Sequence, residues 1–117
     1  MAERICVSIP TDDGLKVKAG HFGDGRYYFH YTYNGRRWIL NRVVENPFAG
    51  EHEHGEEHGK RPRIRELNKE CNYIVASSFG PGGEEFMEKS GFTVVKVSPG
   101  TLLLEALRYV EGLASCR

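Results

Sequence analysis

The amino-acid sequence predicts an α/β fold in which helices flank a mixed five-stranded sheet. Three observations carry this prediction: alternating apolar residues near the N-terminus, an aromatic hairpin after them, and a second half in which helical and strand-like segments alternate. The predicted order is β-β-β-α-β-α-β-α, with three antiparallel strands followed by two strands that helical crossovers connect. The length of 117 residues suits one domain with one hydrophobic core, spanning residues 1–117.

The first three strands are predicted from residue alternation and turn chemistry. Apolar side chains alternate with more polar ones over residues 5–9, and Pro10 is expected to end that strand. Aromatic and apolar residues recur over residues 27–33 and 36–44, as is typical of strands. An Asn-Gly pair lies between these segments at residues 34–35. This pair favours a type I′ hairpin turn, because both residues tolerate positive φ.

The later elements alternate between helix and strand. They are a helix that follows Pro62 and ends near Asn72, a strand over residues 73–76, a helix over residues 84–90, a strand over residues 93–97, and a helix that Ser98-Pro99 opens. An apolar stripe predicts the buried face of the last helix, and it consists of Leu103, Leu107, Val110 and either Leu113 or Ala114.

Composition excludes several classes of function. The 16 basic and 16 acidic residues cancel, so no overall field attracts nucleic acid or an anionic membrane surface. No apolar run approaches the roughly 20 residues that span a bilayer, and the N-terminus shows no signal-peptide segment. Three cysteines without a Cys-x-x-Cys pair argue against a disulfide framework and against an all-cysteine cluster cage. We therefore expect a cytoplasmic protein that binds neither nucleic acid nor membrane.

The loop after the first strand contains the first candidate ligand, His21, between Gly20 and Gly23. Neutral imidazole offers a nitrogen lone pair at about pH 7, which makes histidine a common metal ligand. The flanking glycines let the backbone approach whatever His21 contacts. The alternative is that His21 lies in a flexible surface turn, and the local sequence alone leaves both interpretations open.

A second candidate is the loop over residues 46–62, which is rich in histidine, glutamate and glycine. Three of the five histidines, His52, His54 and His58, fall within it. Such imidazoles can converge on a metal ion, and the interleaved glutamates add oxygen ligands. The histidine spacing matches no dedicated zinc motif. The alternatives are therefore capture of a metal such as nickel or zinc, and a solvated acidic loop that chelates metals adventitiously.

A third candidate is the glycine turn that contains Gly80, Gly82 and Gly83, between a strand and a helix. Backbone N–H groups at a helix N-terminus favour anions. The lysine of a phosphate-binding P-loop is absent here, and Glu84 and Glu85 follow the glycines instead. These two carboxylates suit the helix dipole and repel a phosphate. A tight turn is therefore favoured over an anion site.

The sequence predicts no catalytic arrangement. Metal-dependent nucleases need carboxylates that converge on a metal ion, but the first strand contains no acid, and Asp12 and Asp13 come only after it. Neither a Gly-x-Ser-x-Gly elbow nor a cysteine paired with a base is present. His30 is predicted to be a packed strand residue. A residual nuclease activity would depend on magnesium and on Asp12 and Asp13.

Several of these segments together resemble one known family. They are Ile-Pro-Thr-Asp-Asp-Gly at residues 9–14, His-Phe-Gly at 21–23, Glu-Asn-Pro at 45–47 before the histidine-rich loop, and Ser-Gly-Phe-Thr-Val at 90–94. The chain is similar in this respect, over roughly residues 4–110, to the dinitrogenase iron–molybdenum cofactor biosynthesis proteins, which include NifX-like proteins and the C-terminal region of NifB-like proteins. It departs from them at Gly20, where relatives often have proline, and at Ser77-Ser78, where they often have paired glycines.

The resemblance implies a ribonuclease H-like fold without nuclease activity. It implies a non-catalytic protein that binds, carries or stores an iron–sulfur or iron–molybdenum-type cluster and passes it to a partner. Carried over by position, His21 with Phe22 and Gly23 would contact the cluster, and the three loop histidines would contribute further metal ligands. Implied partners are a cluster donor or acceptor protein, such as an ATPase, with the chain itself a monomer or weak homodimer.

Two alternatives belong to other classes of function. One is a binder or sensor of nickel or zinc that uses only His52, His54 and His58. The other is a protein-interaction domain that docks onto an ATPase or redox partner and whose metal-binding loop is incidental. They differ in which histidines matter, since the cluster carrier depends on His21 and the interaction domain depends on none.

Overall fold

A computed structural model describes residues 4–50 and 60–115. Its strands and helices, in chain order, are β1 Ile5–Thr11, β2 Tyr27–Tyr33, β3 Trp38–Glu45, α1 Lys60–Leu67, β4 Tyr73–Ala76, α2 Gly83–Lys89, β5 Thr93–Lys96 and α3 Leu103–Ser115, with a short 3-10 turn at Phe22–Asp24 between β1 and β2.

The sheet has five strands in the order β3-β2-β1-β4-β5. β2 runs antiparallel to both β1 and β3, while β4 runs parallel to both β1 and β5. The parallel pairs follow from the helical connections α1 and α2, since a parallel partner needs a crossover. The predicted mixed five-stranded sheet with flanking helices is confirmed.

Both faces of the central strands are buried because successive side chains in a strand point to opposite faces. On one face Val7 and Ile9 of β1 pack against the apolar stripe of α3, in which Leu103, Ala106, Leu107 and Val110 are buried. On the other face Ile74 packs with Ile64 of α1 and Met87 of α2. Burying each such side chain stabilises the fold by roughly 1.5–3 kcal/mol.

A buried polar cluster joins the sheet to the C-terminal end of α1. The Asn68 Nδ2 amide donates to the carbonyl of Ile64 at 2.9 Å, which turns Asn68 Oδ1 toward the sheet. Ser8 Oγ donates to this oxygen at 2.6 Å, and His30 Nε2 lies 3.0 Å from it. Because the amide oxygen is only an acceptor, His30 Nε2 carries the proton. Burial lowers the pKa of His30, so the ring is neutral at neutral pH.

The hairpin turn differs from the predicted type I′ geometry. The connection spans residues 34–37, and Asn34 Oδ1 accepts the backbone N–H groups of Arg36 and Arg37, both at 2.9 Å. Among the described residues, positive φ occurs only at glycines, here at Gly35 with φ 97°. The expectation failed because the Asn34 side chain caps the turn, so the asparagine backbone does not need the left-handed region.

Several element boundaries also differ from those expected. β1 continues through Pro10 to Thr11, and α1 ends at Leu67 rather than near Asn72. α1 begins at Lys60, inside the segment predicted to be a loop up to Pro62, because proline is accommodated in the first turn of a helix. α3 begins at Leu103, later than Ser98-Pro99, because residues 98–102 form a turn in which Gly100 has φ 85°. Of the two residues proposed to end its apolar stripe, Ala114 packs on the core, whereas Leu113 is exposed.

Cys6 and Cys71 form a disulfide, which contradicts the expectation from cysteine spacing. Cys6 lies in β1, and Cys71 lies between α1 and β4 with 65 residues of sequence separation. The parallel pairing of β1 with β4 brings the Cα atoms of Cys6 and Cys71 to within 4.5 Å of each other. In the part of the chain that the structure describes, no helix is long and apolar enough to cross a membrane.

We predict that the stability of the fold falls in mild acid because of His30. The unfolded histidine titrates near its ordinary pKa of 6.5 and the folded one below it. Below pH 6.5 the unfolded state therefore binds more protons, and stability decreases down to the folded pKa. Urea titrations between about pH 7.5 and 5 should show a smaller pH dependence for His30→Gln than for the wild type. Parallel curves for the two proteins would contradict this prediction.

We also predict that Asn68→Ala destabilises the protein. The substitution leaves Ser8 and His30 without their shared acceptor, and a buried unsatisfied polar group costs about 1–3 kcal/mol. Asn41→Ala is the matched control, because Asn41 is exposed and accepts one hydrogen bond from Thr32 at the sheet surface. The control should stay within about 0.5 kcal/mol of wild type in the same urea titrations. Equal effects of the two variants would show that the buried cluster has no special role.

Candidate functional site

A cavity of about 320 Å³ lies beside the sheet edge at which β1 and β4 end. These two strands are parallel neighbours, so their carboxyl ends meet at one edge. From there β1 leads to β2 on one side, and β4 leads through α2 to β5 on the other. Such a divergence opens a crevice that serves as the binding site in many α/β proteins. The N-terminal turn of α1 forms the third wall.

The loop containing His21 is tied to the loop after β4. His21 and Ser78 form a parallel β-bridge, and the backbone N–H of Phe22 donates to the Ser78 carbonyl at 2.9 Å. The Ser77 hydroxyl donates to the Lys18 carbonyl at 2.9 Å and accepts the N–H of Gly20 at 3.2 Å. Ser77 thus holds the position of the His21 loop.

Asn46 holds the other side of this loop. Its buried side-chain amide donates to the carbonyls of Gly23 at 3.0 Å and Gly25 at 2.8 Å. Tyr28 donates its hydroxyl to the Phe22 carbonyl at 2.7 Å. Burial, reinforced by the negative charge of Asp24, raises the pKa of Tyr28, so this hydroxyl stays protonated and the hydrogen bond persists. The 3-10 turn is therefore a rigid platform.

His21 stands on this platform with an accessible side chain. Its side chain is 53% exposed, and its Nδ1 lies 4.0 Å from the Asp24 Oδ2 atom. It lines the cavity together with Phe22 and Gly23, as does the buried thioether of Met87. The sequence-predicted trio of residues 21–23 is thus brought together at one cavity wall. The imidazole can reach a ligand from solvent without any rearrangement of the core.

The start of α1 makes the cavity cationic. The Lys60 ammonium group donates to Asp24 Oδ1 at 2.7 Å, and its side chain is only 9% exposed. The Arg61 guanidinium, half-buried, donates to the carbonyl of Pro81. Among the described lining residues, the lysine, arginine and aspartate side chains are these two cations and one carboxylate. The positive end of the α1 dipole adds to this field.

Apolar side chains form the floor. Phe22 is buried, and its ring packs 5.1 Å from Tyr28 and 5.7 Å from Phe79, measured between centroids. Ile64 and Met87 complete the floor from α1 and α2. Because little water solvates such a floor, electrostatic interactions with Lys60 are stronger there than at an open surface.

The glycine turn contributes to two different surfaces. Gly80 and Gly83 line the cavity, whereas Gly82 lines a neighbouring groove with Glu84 and Glu85. The N–H of Gly83 already donates to the carbonyl of Gly80 at 3.0 Å. Gly82 has φ 77° and lies against Arg61 so closely that a Cβ would sit 2.9 Å from the guanidinium Nη2. These contacts favour the tight-turn interpretation, and anion binding at this turn remains a prediction.

The other candidate metal ligands are not assembled into a site within the described ranges. His52, His54 and His58 lie outside the described residues. Asp12 is paired with Lys18 at 2.7 Å, and Asp13 accepts backbone N–H groups of its own loop. Across residues 4–50 and 60–115, no group of three His, Cys, Asp or Glu side chains is arranged to enclose a metal ion.

Sequence reasoning missed Lys60 and Arg61. Helices usually have acidic residues in the first turn, where they suit the dipole, but the first turn of α1 contains none. A basic pair at a helix N-terminus opposes the dipole, and this unfavourable placement was the available signal. It was overlooked because the helix was expected to begin after Pro62, which left both residues in the loop.

The comparisons with known proteins agree with this architecture. A family profile described as dinitrogenase iron-molybdenum cofactor matches residues 3–112. An NMR structure of a candidate NifB protein from Thermotoga, placed in the DUF35 family, is 25% identical, with 92% of this chain and 89% of that chain covered and a TM-score of 0.64.

A second solved structure shares the fold alone. The apo orange protein from Desulfovibrio gigas is 15% identical, with 96% of this chain and 92% of that chain covered and a TM-score of 0.67. No curated protein matches this chain. The family match spans nearly all of the chain and includes every wall of the cavity. The chain belongs to the dinitrogenase iron-molybdenum cofactor family.

Proposed function

We propose that this protein binds an anionic metal–sulfur cluster, of iron–sulfur or iron–molybdenum type, in the cavity beside His21, and carries it to a partner protein without catalysing a reaction. The observation that carries this proposal is the placement of the exposed His21 imidazole beside Lys60 and Arg61 around one cavity. The family relationship supplies the class of cargo, since the profile that matches is that of the iron-molybdenum cofactor family.

The residues present fit a cluster with negative charge. The imidazole of His21 offers a nitrogen to iron or another soft metal, and the ammonium and guanidinium groups offer N–H donors to sulfides. Hydrogen bonds and nearby charge are among the factors that tune clusters in proteins. The apolar floor of Phe22, Phe79 and Ile64 would exclude water from one side of the cargo.

The small number of ligands suits temporary holding. His21 is the one imidazole among the described lining residues, and none of them is a cysteine. A cluster bound in this way keeps coordination positions that a partner's thiolates can take. The remaining ligands would come from His52, His54 and His58, from a second copy of the chain, or from an external thiol. We therefore infer that the partner is a cluster donor or acceptor rather than a substrate of this chain.

The sheet itself supports a non-catalytic role. β1 has the sequence Ile-Cys-Val-Ser-Ile-Pro-Thr and contains no carboxylate. We place the sheet among ribonuclease H-like folds on the strength of the family resemblance, and metal-dependent cleavage would need carboxylates that converge on one metal ion. Asp12 and Asp13 are instead engaged within their own loop. We propose a cytoplasmic location, where clusters are assembled and transferred.

The first prediction concerns His21. After anaerobic reconstitution with ferrous iron and sulfide, the wild type should develop visible absorption and retain iron and sulfide through gel filtration. His21→Ala should lose most of both, because the accessible ligand of the cavity is removed. Measurement of absorption and bound iron in the two proteins tests this directly. His30→Gln is the matched control, since its imidazole is engaged with Asn68 away from this cavity, and it should retain the chromophore.

Other outcomes of the same experiment would decide against the proposal. If no chromophore forms in wild type while nickel or zinc binds and is lost in a His52, His54 and His58 triple alanine variant, the protein is a metal buffer. If neither cluster nor metal binds, an interaction role without metal remains.

The second prediction concerns charge. Lys60→Met should weaken retention of the reconstituted cluster about tenfold, because a partly dehydrated ammonium group within the cavity is removed. Lys69→Met is the control, since Lys69 pairs with Glu66 on the exposed surface at 2.6 Å. The measurement is bound iron and sulfide as a function of sodium chloride concentration. A loss that is equal in the two variants would show that the charge of the cavity does not hold the cargo.

A further inference from the structure

A second chemical feature lies at the other end of α1, away from the His21 cavity. Cys6 of β1 and Cys71, four residues after the end of α1 at Leu67, are joined by a disulfide. The two cysteine residues differ in their exposure. Cys71 is only 5% exposed, whereas Cys6 is partly exposed and lines an open cavity of about 470 Å³.

Hydrogen bonds around Asn72 bring the two cysteines together independently of the sulfur–sulfur bond. The N–H of Cys6 donates to Asn72 Oδ1 at 2.9 Å, and the N–H of Asn72 donates to the Cys6 carbonyl at 3.1 Å. The Asn72 amide also donates to the carbonyl of Arg4 at 3.1 Å. If the disulfide is reduced, these bonds keep the thiols close. Groups held in this way react with a high effective concentration, so the bond can re-form readily.

The cavity beside Cys6 has the chemistry of a site for a small anion. Arg4 and Arg42 line it, together with the polar side chains of Thr32, Asn41 and Asn72. Glu70 also faces it and pairs with Arg42 at 3.0 Å. The two arginines and one carboxylate leave one excess positive charge among the described lining residues.

The same cavity is also lined by a buried histidine that uses only one of its two ring nitrogens for a hydrogen bond within the described residues. His30 is 2% exposed, and its Nε2 is engaged with Asn68. Its Nδ1 has no hydrogen-bond partner among the described residues, although the residue lines the cavity. As Nε2 carries the proton, Nδ1 presents a lone pair. A ligand that enters the cavity can donate a hydrogen bond to it, as an ammonium or amide N–H does.

We propose that Cys6 and Cys71 are a reversible dithiol–disulfide pair that exchanges with a low-molecular-weight thiol bearing carboxylates, bound in the cavity of Arg4, Arg42 and His30. The incoming thiolate attacks Cys6 Sγ, because Cys6 and not Cys71 lines the cavity, and forms a mixed disulfide while Cys71 leaves as a thiolate. A second molecule of the same thiol then attacks the mixed disulfide, which releases the small-molecule disulfide and the Cys6 thiolate. Two thiols are thus oxidised as one protein disulfide is reduced.

Glutathione serves as the test thiol because its carboxylates complement the arginines, with cysteamine as a cationic thiol for comparison. The protein used is the full chain with Cys116→Ser, so that Cys6 and Cys71 are its two remaining cysteines. Each rate is divided by that of the same thiol with a small neutral disulfide, which corrects for intrinsic reactivity. Exchange is stopped by alkylation, and the modified residue is located by mass spectrometry of peptides.

The expected result is a glutathione adduct on Cys6 and, at low salt, a corrected rate about five-fold higher for glutathione than for cysteamine. Arg42→Gln should abolish this preference. Arg108→Gln, at an exposed position of α3, should retain it. Circular dichroism of the dithiol form should match the disulfide form, because Asn72 still joins the two segments.

Several results would overturn the proposal. One is that air-oxidised protein, or protein treated with glutathione disulfide, keeps both thiols free. Another is that the adduct forms on Cys71 in preference to Cys6. A third is that glutathione and cysteamine react at equal corrected rates, which would show that the cavity does not favour an anionic thiol. None of these outcomes depends on whether the His21 cavity binds a cluster.

Discussion

The parallel pairing of β1 with β4 is the constraint on which the rest of the structure depends. The ladder between the two strands consists of two residue pairs, Val7 with Tyr73 and Ser8 with Ile74. Further contacts between the two chain segments extend beyond both ends of this ladder. At one end, His21 and Ser78 extend it as an isolated bridge, and His21 lies at the wall of the cationic cavity. At the other, Cys6 meets Cys71 and Asn72. Both chemically distinctive places are thus consequences of one strand pairing.

The connection between these two strands explains the chemistry of the cavity. α1 has only eight residues, too short to be stable in isolation, so it depends on packing. Ile64 anchors it to the sheet, and Asn68 fastens its C-terminal end to Ser8 and His30. Because these contacts hold α1 in place, its first turn can contain Lys60 and Arg61, although positive charge at a helix N-terminus is unfavourable. The unfavourable interaction of these two cations with the helix dipole is offset by the packing of α1 in the core. Their positive charge lies at the cavity.

Much of this arrangement could be predicted from the sequence because it follows from local patterns. Alternation identified the strand β1, and β4 was predicted with its observed bounds at residues 73 and 76. The His-Phe-Gly segment identified the residues that line one wall. The glycine turn was correctly placed beside a helix. These features depend on neighbours in sequence, which periodicity and turn chemistry report well.

The remainder depends on residues that are distant in sequence. The proximity of Cys6 and Cys71 across 65 residues follows from strand register, which no local spacing reveals. The place of Lys60 in the cavity was not predicted, because Pro62 indicated that the helix starts after it, whereas α1 begins at Lys60. Asn34 is the opposite case. The local Asn-Gly pair predicted a type I′ turn, but the Asn34 side chain instead accepts the backbone N–H of Arg36 and caps a different turn. In each case the deciding interaction is a specific hydrogen bond or packing contact rather than a propensity.

α1 connects the two places within one short segment of the chain. Its first residue, Lys60, lies in the His21 cavity, and its last turn leads through Asn68 to Cys71 within a few residues. Between these ends, Ile64 packs in the core, and Asn68 is hydrogen-bonded to both Ser8 and His30. The same packed helix therefore fixes the position of Lys60 at one cavity and the position of Cys71 beside Cys6 at the other.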